Sequence, residues 1–169
     1  MIILLFICTE CLSVNNPDEE ELREEALEAI PGDTKGIVTH VTDGDTFTVE
    51  LEDGEEEYVR LISVNAPETC HYNSISNCEP EPFSEEAVAF TRETLQGETV
   101  YLEQDELERD QNGYMLFYVY LESTEMYQSM LLREGLAEVA VNEPNIKYQQ
   151  ELKESAEQAK TDSKGIWQQ

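Results

Sequence analysis

Between Gly36 and Val64 apolar and polar residues alternate in short runs separated by turn formers, a pattern that predicts three β-strands. The second and third are joined by LEDGEE. The apolar pattern selects the loop, because a slip of one residue sends every side chain to the opposite face. A two-residue Asp53-Gly54 turn pairs Phe47, Val49 and Leu51 with Glu56, Tyr58 and Arg60, which sets apolar side chains against charge. A three-residue loop, Glu52-Asp53-Gly54 with Gly54 left-handed, instead places Phe47, Val49 and Leu51 on the face of Val59 and Leu61. The second register is expected, with Thr46 opposite Arg60 and Asp45 opposite Leu61.

Downstream, FSEEAVAFTRETL offers Ser84 as an N-cap, acids in the first turn, and Ala87, Phe90 and Leu95 at helical spacing. ETVYLEQ and YMLFYVYL read as strands, MYQSMLLREG as a helix stopped by Gly135, and IKYQQELKESAEQAKTDSKGIW as a longer helix ending before Gly165. The order is three strands, a helix, two strands and two helices, an α+β fold with a mostly β core. Five strands with an interposed helix suit a small Greek-key barrel of the oligonucleotide-binding (OB) type. Phe117, Tyr118 and Tyr120 offer a base-stacking platform, although alternating core and surface packing is the commoner use of such a run.

The chain has 169 residues, enough for one domain with a tail. IPGDTKG supplies Pro, Gly and Asp as a boundary, so residues 1–34 read as a leader and acidic tail, the tail a solvated segment or short helix. Residues 35–169 read as the folded domain. Ten Lys and Arg against 38 Asp and Glu give a formal charge of -28, which by charge alone disfavours nucleic acid as a partner at low salt. The stretch PDEEELREEALEA carries seven acids against Arg23, so most of the excess lies elsewhere and the whole surface is acidic. Such a surface suits concentrated salt, where the Debye length shrinks to about 3 Å at 1 M and both self-repulsion and substrate repulsion fade. Solubility alone is the plainer reading.

MIILLFICTEC opens on an apolar run, Ile2 to Ile7, too short to span a bilayer and without a basic leader. It resembles a clipped export signal, with Cys8 or Cys11 as a candidate lipidated cysteine that would attach the protein to a membrane. A secreted or cell-surface location follows, with a monomer expected and no stable protein partner implied. Cys8 and Cys11 have redox-motif spacing but lack the strand and helix that such a motif needs. Cys70 and Cys78 bracket a loop without periodicity, where a bridge formed in an oxidising compartment would reduce the freedom of the unfolded chain. His71 beside them raises zinc, but a fourth ligand is missing.

The predicted register gathers chemistry at one end of the hairpin. Asp45 and Arg60 are adjacent there, and the next residues, SVNAPET, leave from the same end. Pro67 fixes its own backbone and favours an extended Ala66, holding Asn65 and Glu68 in a stiff turn. Asp43, Asp45, Asn65, the Ala66 carbonyl and Glu68 thus converge as hard oxygen donors that suit calcium or magnesium. The alternative is a surface Asp-Gly turn and an unrelated proline turn.

In order along the chain, DGDT, VRLISVNAPET, EEAVAFTRETL, NGYMLFYVYL, LLREGLAEVA and ESAEQAKTDSKGIW resemble the staphylococcal nuclease (thermonuclease) family from about Gly36 to Trp167. The resemblance implies an OB barrel with three helices that hydrolyses DNA and RNA with Ca2+. It implies that Asp45 and the Ala66 carbonyl ligate calcium, with Asn65 where a second ligating aspartate often sits. Glu68 matches the residue that activates the attacking water, and Arg60 one of two phosphate-clamping arginines. The second of those arginines follows the glycine of the NGYMLFYVYL segment, and here that position is Tyr114, which has no planar cationic fork. Arg109, five residues upstream, is a candidate substitute, or else a partner for Glu106, Glu108 or Asp110. A catalytically silent OB module that binds oligonucleotide, protein or cation is therefore the rival expectation.

Overall fold

The computed structural model describes residues 17–70, 78–122, 124–141 and 143–168. Along these residues the elements run α1 (Pro17–Glu28), β1 (Thr34–Asp43), β2 (Thr46–Leu51), β3 (Glu56–Leu61), β4 (Val64–Asn65), α2 (Ser84–Leu95), β5 (Thr99–Glu103), β6 (Met115–Tyr120), α3 (Tyr127–Arg133), β7 (Glu138–Val139) and α4 (Gln149–Thr161), then a 3-10 turn at Gly165–Trp167. Five strands close a barrel in the order β1-β2-β3-β6-β5, so the α+β fold with an OB-type barrel is present. The roles expected of Cys8 and Cys11, and of His71 as a zinc ligand, fall on residues outside the described ones.

Closure depends on β1 serving two neighbours. Gly36 lies opposite Leu51 of β2 on one side and Val100 of β5 on the other. A Cβ at Gly36 would sit 2.2 Å from Val49 Cγ1 and 2.7 Å from the Glu50 carbonyl oxygen, so the neighbouring strand can lie this close only where a side chain is missing. β3 and β6 pair in parallel, Val59 with Met115 and Leu61 with Phe117. The intervening crossover carries α2, which packs on β1.

The hairpin has the register that burial demands. Thr46 pairs with Arg60 and Phe47 with Val59, Gly54 is left-handed at φ 84°, and the Leu61 N–H donates to the Asp45 carbonyl oxygen at 3.0 Å. Phe47, Val49, Val59 and Leu61 are wholly buried.

Other expectations change. The acidic stretch takes the helical one of its two expected forms, as α1, and so adds a fourth α-helix to the three expected of the barrel domain among the described residues. β4 and β7 pair antiparallel outside the barrel and are too short to leave a periodic signal. Ser84 begins α2 instead of capping it. The residue before it, Phe83, turns left-handed at φ 68°, and the buried Ser84 hydroxyl has no hydrogen-bond partner. Phe117, Tyr118 and Tyr120 form no stacking platform. All three are buried, with the Tyr118 and Tyr120 hydroxyls donating to Asp105 and Glu103, because β6 is covered on both faces.

Cys70 and Cys78 form a disulfide eight positions apart in sequence. Replacing both with serine is expected to lower stability by about 2.5 kcal/mol, the chain entropy returned to an unfolded loop of that size. Urea unfolding of the oxidised protein and the double variant measures it.

Candidate functional site

The DGDT run joins β1 to β2, and its glycine is there for room. Gly44 does not take a positive φ, yet a Cβ on it would lie 2.7 Å from the Ala66 Cβ and 2.8 Å from the Ala87 Cβ. The turn is therefore pressed between the NAPET segment and α2. The Thr91 hydroxyl of α2 donates to the Gly44 carbonyl oxygen at 2.8 Å and accepts from the Tyr127 hydroxyl at 2.7 Å. This buried chain fixes the turn's backbone.

That pressing brings Asp45 against the second segment. Its carboxylate is only 8 % exposed; one oxygen accepts from the Thr46 hydroxyl at 2.9 Å and the other from the Ala66 N–H at 3.2 Å. Burial pushes the Asp45 carboxyl above the ordinary carboxylate range, and nearby Asp43 adds to the rise. The two hydrogen bonds and the Arg60 charge oppose it without cancelling it. An ionised Asp45 is thus incompletely compensated by the protein alone.

Arg60 reaches the same oxygen network through Thr46, whose hydroxyl oxygen accepts from Arg60 Nε at 3.4 Å. Its far end donates to Asp110 at 3.3 Å. Asp110 is itself fixed, because its other carboxylate oxygen accepts the N–H groups of Asn112 at 2.8 Å and Tyr114 at 3.0 Å. The Tyr114 ring lies over the guanidinium, 4.8 Å from carbon to centroid. Arg60 is held in place but half-exposed.

On the far side of Pro67, Glu68 is exposed and its backbone is tied twice to Glu81: the Glu68 N–H donates to the Glu81 carboxylate at 2.9 Å, and the Glu81 N–H donates to the Glu68 carbonyl at 3.1 Å. Thr69 donates both its N–H, at 3.2 Å, and its hydroxyl, at 2.6 Å, to Asp43. The Cys70–Cys78 bridge follows directly. Asn65 is exposed on β4, opposite Glu138.

Contact therefore joins Asp45, Thr46, Arg60 and Ala66 directly, while Asn65 and Glu68 flank Ala66 along the chain with exposed side chains. Among the described residues no three His, Cys, Asp or Glu side chains gather as a metal cage. A buried carboxylate under-compensated for its charge, an amide and a backbone carbonyl nonetheless fit a hard cation that keeps most of its ligands as water, calcium or magnesium rather than zinc. Arg109 does not pair with the neighbours expected for it. It forms a two-pronged bond with Glu57, at 2.6 and 3.1 Å, and donates to the Gly113 carbonyl at 2.8 Å.

Four supporting residues went unassigned in the sequence: Thr46, Thr69, Glu81 and Asp110. The Asp-Gln-Asn-Gly run at Asp110 is a turn signal that could have revealed its backbone role. The contacts of Glu81 and Thr69 leave no local signature.

Residues 58–169 match the sequence profile of a family described as Staphylococcal nuclease homologue. The chain is 38% identical over 130 residues to the Thermonuclease of Staphylococcus hyicus, covering 77% of this chain and 73% of that one. It is 36% identical over 131 residues to the Thermonuclease of Staphylococcus intermedius, covering 78% and 74%. It is also 38% identical over 127 residues to Endonuclease YncB of Bacillus subtilis (strain 168), covering 74% of this chain and 57% of that protein.

Because the folded-state carboxyl of Asp45 is raised, the metal-free native state binds its proton more tightly than the unfolded chain does. Its contribution to stability is then fully present below the ordinary carboxylate range and is lost as pH rises through the raised value. Asp45→Asn can present its oxygen to the Ala66 N–H and its amide to Thr46. In chelator it is expected to show a higher Tm than the parent at neutral pH, with the gap closing under acid. Thermal unfolding of both proteins across pH tests the sign.

Proposed function

The chain belongs to the staphylococcal nuclease family, and on that premise we propose that it is a calcium-dependent phosphodiesterase that cleaves DNA or RNA. The observation that carries this reading is the buried Asp45 carboxylate, shared between the Thr46 hydroxyl and the Ala66 N–H within one bond of Arg60. Asp45, the Asn65 side chain and the Ala66 carbonyl would hold the cation. When bound, calcium neutralises the phosphate and lowers the cost of charge developing on its oxygens.

The rest follows from the chain's own side chains. Arg60, anchored by Thr46 and Asp110, presents its remaining N–H groups to the non-bridging oxygens, where fixed donors act most strongly in the transition state. Glu68 accepts a proton from the attacking water. Its place is held by Pro67, by the paired Glu81 bonds and by the Thr69 contacts to Asp43. A carboxylate open to solvent can reach a water that attacks from the solvent side. Export is part of the proposal, resting on the apolar leader and on a disulfide that an oxidising compartment favours.

A second reading has its own observation. Tyr114 occupies the place of the second clamping arginine, and Arg109 is engaged with Glu57 and Gly113, so the phosphate would meet one guanidinium instead of two. That favours a binding module with feeble or lost hydrolysis.

Cleavage of single-stranded DNA in calcium, at low and at molar salt, separates the two. The enzyme reading expects cleavage that Glu68→Gln abolishes. The binding reading expects none in either buffer and no effect of that substitution. If the missing second guanidinium limits the rate, Tyr114→Arg raises kcat by about a hundredfold, the scale of one transition-state donor. An unchanged kcat would mean that another group already fills the role.

A further inference from the structure

The residues nearest the reacting end of the hairpin include two aromatics that the catalytic roles do not use. Tyr58 and Arg60 are alternate residues of β3, so their side chains share the outer face of the barrel with Cα atoms about 6.6 Å apart. Tyr58 is 63 % exposed although the strand buries Val59 and Leu61 completely. Tyr114 stands between the two. Its ring centroid lies 4.8 Å from the Arg60 guanidinium carbon and 6.2 Å from the Tyr58 centroid, at an interplanar angle of 74°. Edge-to-face packing of this kind is attractive and leaves the Tyr58 ring supported yet open to solvent.

The charge distribution says why such a surface matters. Seven of the ten Lys and Arg residues are ion-paired with acids among the described residues, including Arg60 on this face. Against a formal charge of -28, a phosphate backbone gains little from general attraction, and what attraction exists is screened in salt. Stacking of a base on an aromatic ring has neither dependence. Every nucleobase has a π-face, and its burial on tyrosine gains free energy at any ionic strength.

We propose that Tyr58, buttressed by Tyr114, is a nucleobase-stacking subsite that seats the base beside the phosphate held by Arg60. Its ligand class is single-stranded nucleic acid, since a base inside a duplex has no free face to offer. The spacing of alternate residues along β3 suits one nucleotide, whose phosphate and base are separated by a single sugar. This inference rests on the phosphodiesterase reading for the role of Arg60. It also gives Tyr114 a function: the ring that displaced a guanidinium supports base recognition in its place.

The test uses the Glu68→Gln protein, so that ligand survives, with fluorescent oligothymidylate and an abasic phosphodiester strand of the same length, at low and molar salt. Tyr58→Ala in that background is expected to weaken oligothymidylate binding about tenfold at both salt concentrations, the scale of one lost stack. Tyr58→Phe retains the parent affinity, and binding of the abasic strand is the same in all three proteins. Equal oligothymidylate affinity for Tyr58→Ala and parent overturns the subsite, as does an equal loss on the abasic strand. Binding of neither strand by the folded Glu68→Gln protein overturns the phosphodiesterase reading along with it. Tyr58 is largely exposed, and circular dichroism confirms that each variant is folded.

Discussion

The hydrogen bond from the Ala66 N–H to the Asp45 carboxylate is the contact on which the rest of the site depends. It ties the turn between the first two barrel strands to a segment that leaves the third, and it does so out of water, where an ionised carboxylate is costly unless compensated. Two donors and a distant guanidinium relieve that cost only in part. On the proposed reading a bound cation would relieve the remainder, at a turn pressed close to Ala66 and Ala87 because Gly44 has no side chain. Arg60 shares the network through Thr46, so the Asp45 carboxylate and the Arg60 guanidinium are joined through one hydroxyl.

The supports around that contact form two groups. On the Glu68 side, a proline, the reciprocal bonds with Glu81, the Thr69 donors and a disulfide all restrict one exposed side chain. On the Arg60 side, Asp110 closes its own turn and holds the guanidinium, while Tyr114 covers it. Catalysis by positioning needs this sort of over-determined shell, because a carboxylate or guanidinium on a free loop would lose geometry faster than chemistry could use it.

Much of this was legible in the sequence where short-range physics decides. The hairpin register followed from matching Phe47, Val49 and Leu51 to Val59 and Leu61, since the rival turn would have buried Glu56 and Arg60. That register alone placed Asp45 beside Arg60. What the sequence could not carry is long range. Nothing in GIVTH shows that Gly36 must admit Val49 from one neighbour while pairing with Val100 on the other, so closure of the barrel was only compatible with the pattern. Ser84 has the residue type of a helix cap and is displaced from that role by the left-handed Phe83 before it. The aromatic run of β6 reads as a surface for bases until the packing of α3 against that strand is known. The aromatic that is exposed, Tyr58, looks in sequence like one polar-face residue of an ordinary strand.

On the proposed reading Asp45 is held buried and under-compensated, and a hard divalent cation would complete it. Titration calorimetry with calcium measures this directly. Saturable heat is expected from the parent protein with Kd of about 10⁻⁴–10⁻³ M, the range of sites with few charged ligands, and none from Asp45→Asn under the same conditions. Equal calcium heats from the two proteins, or none from either, would contradict it.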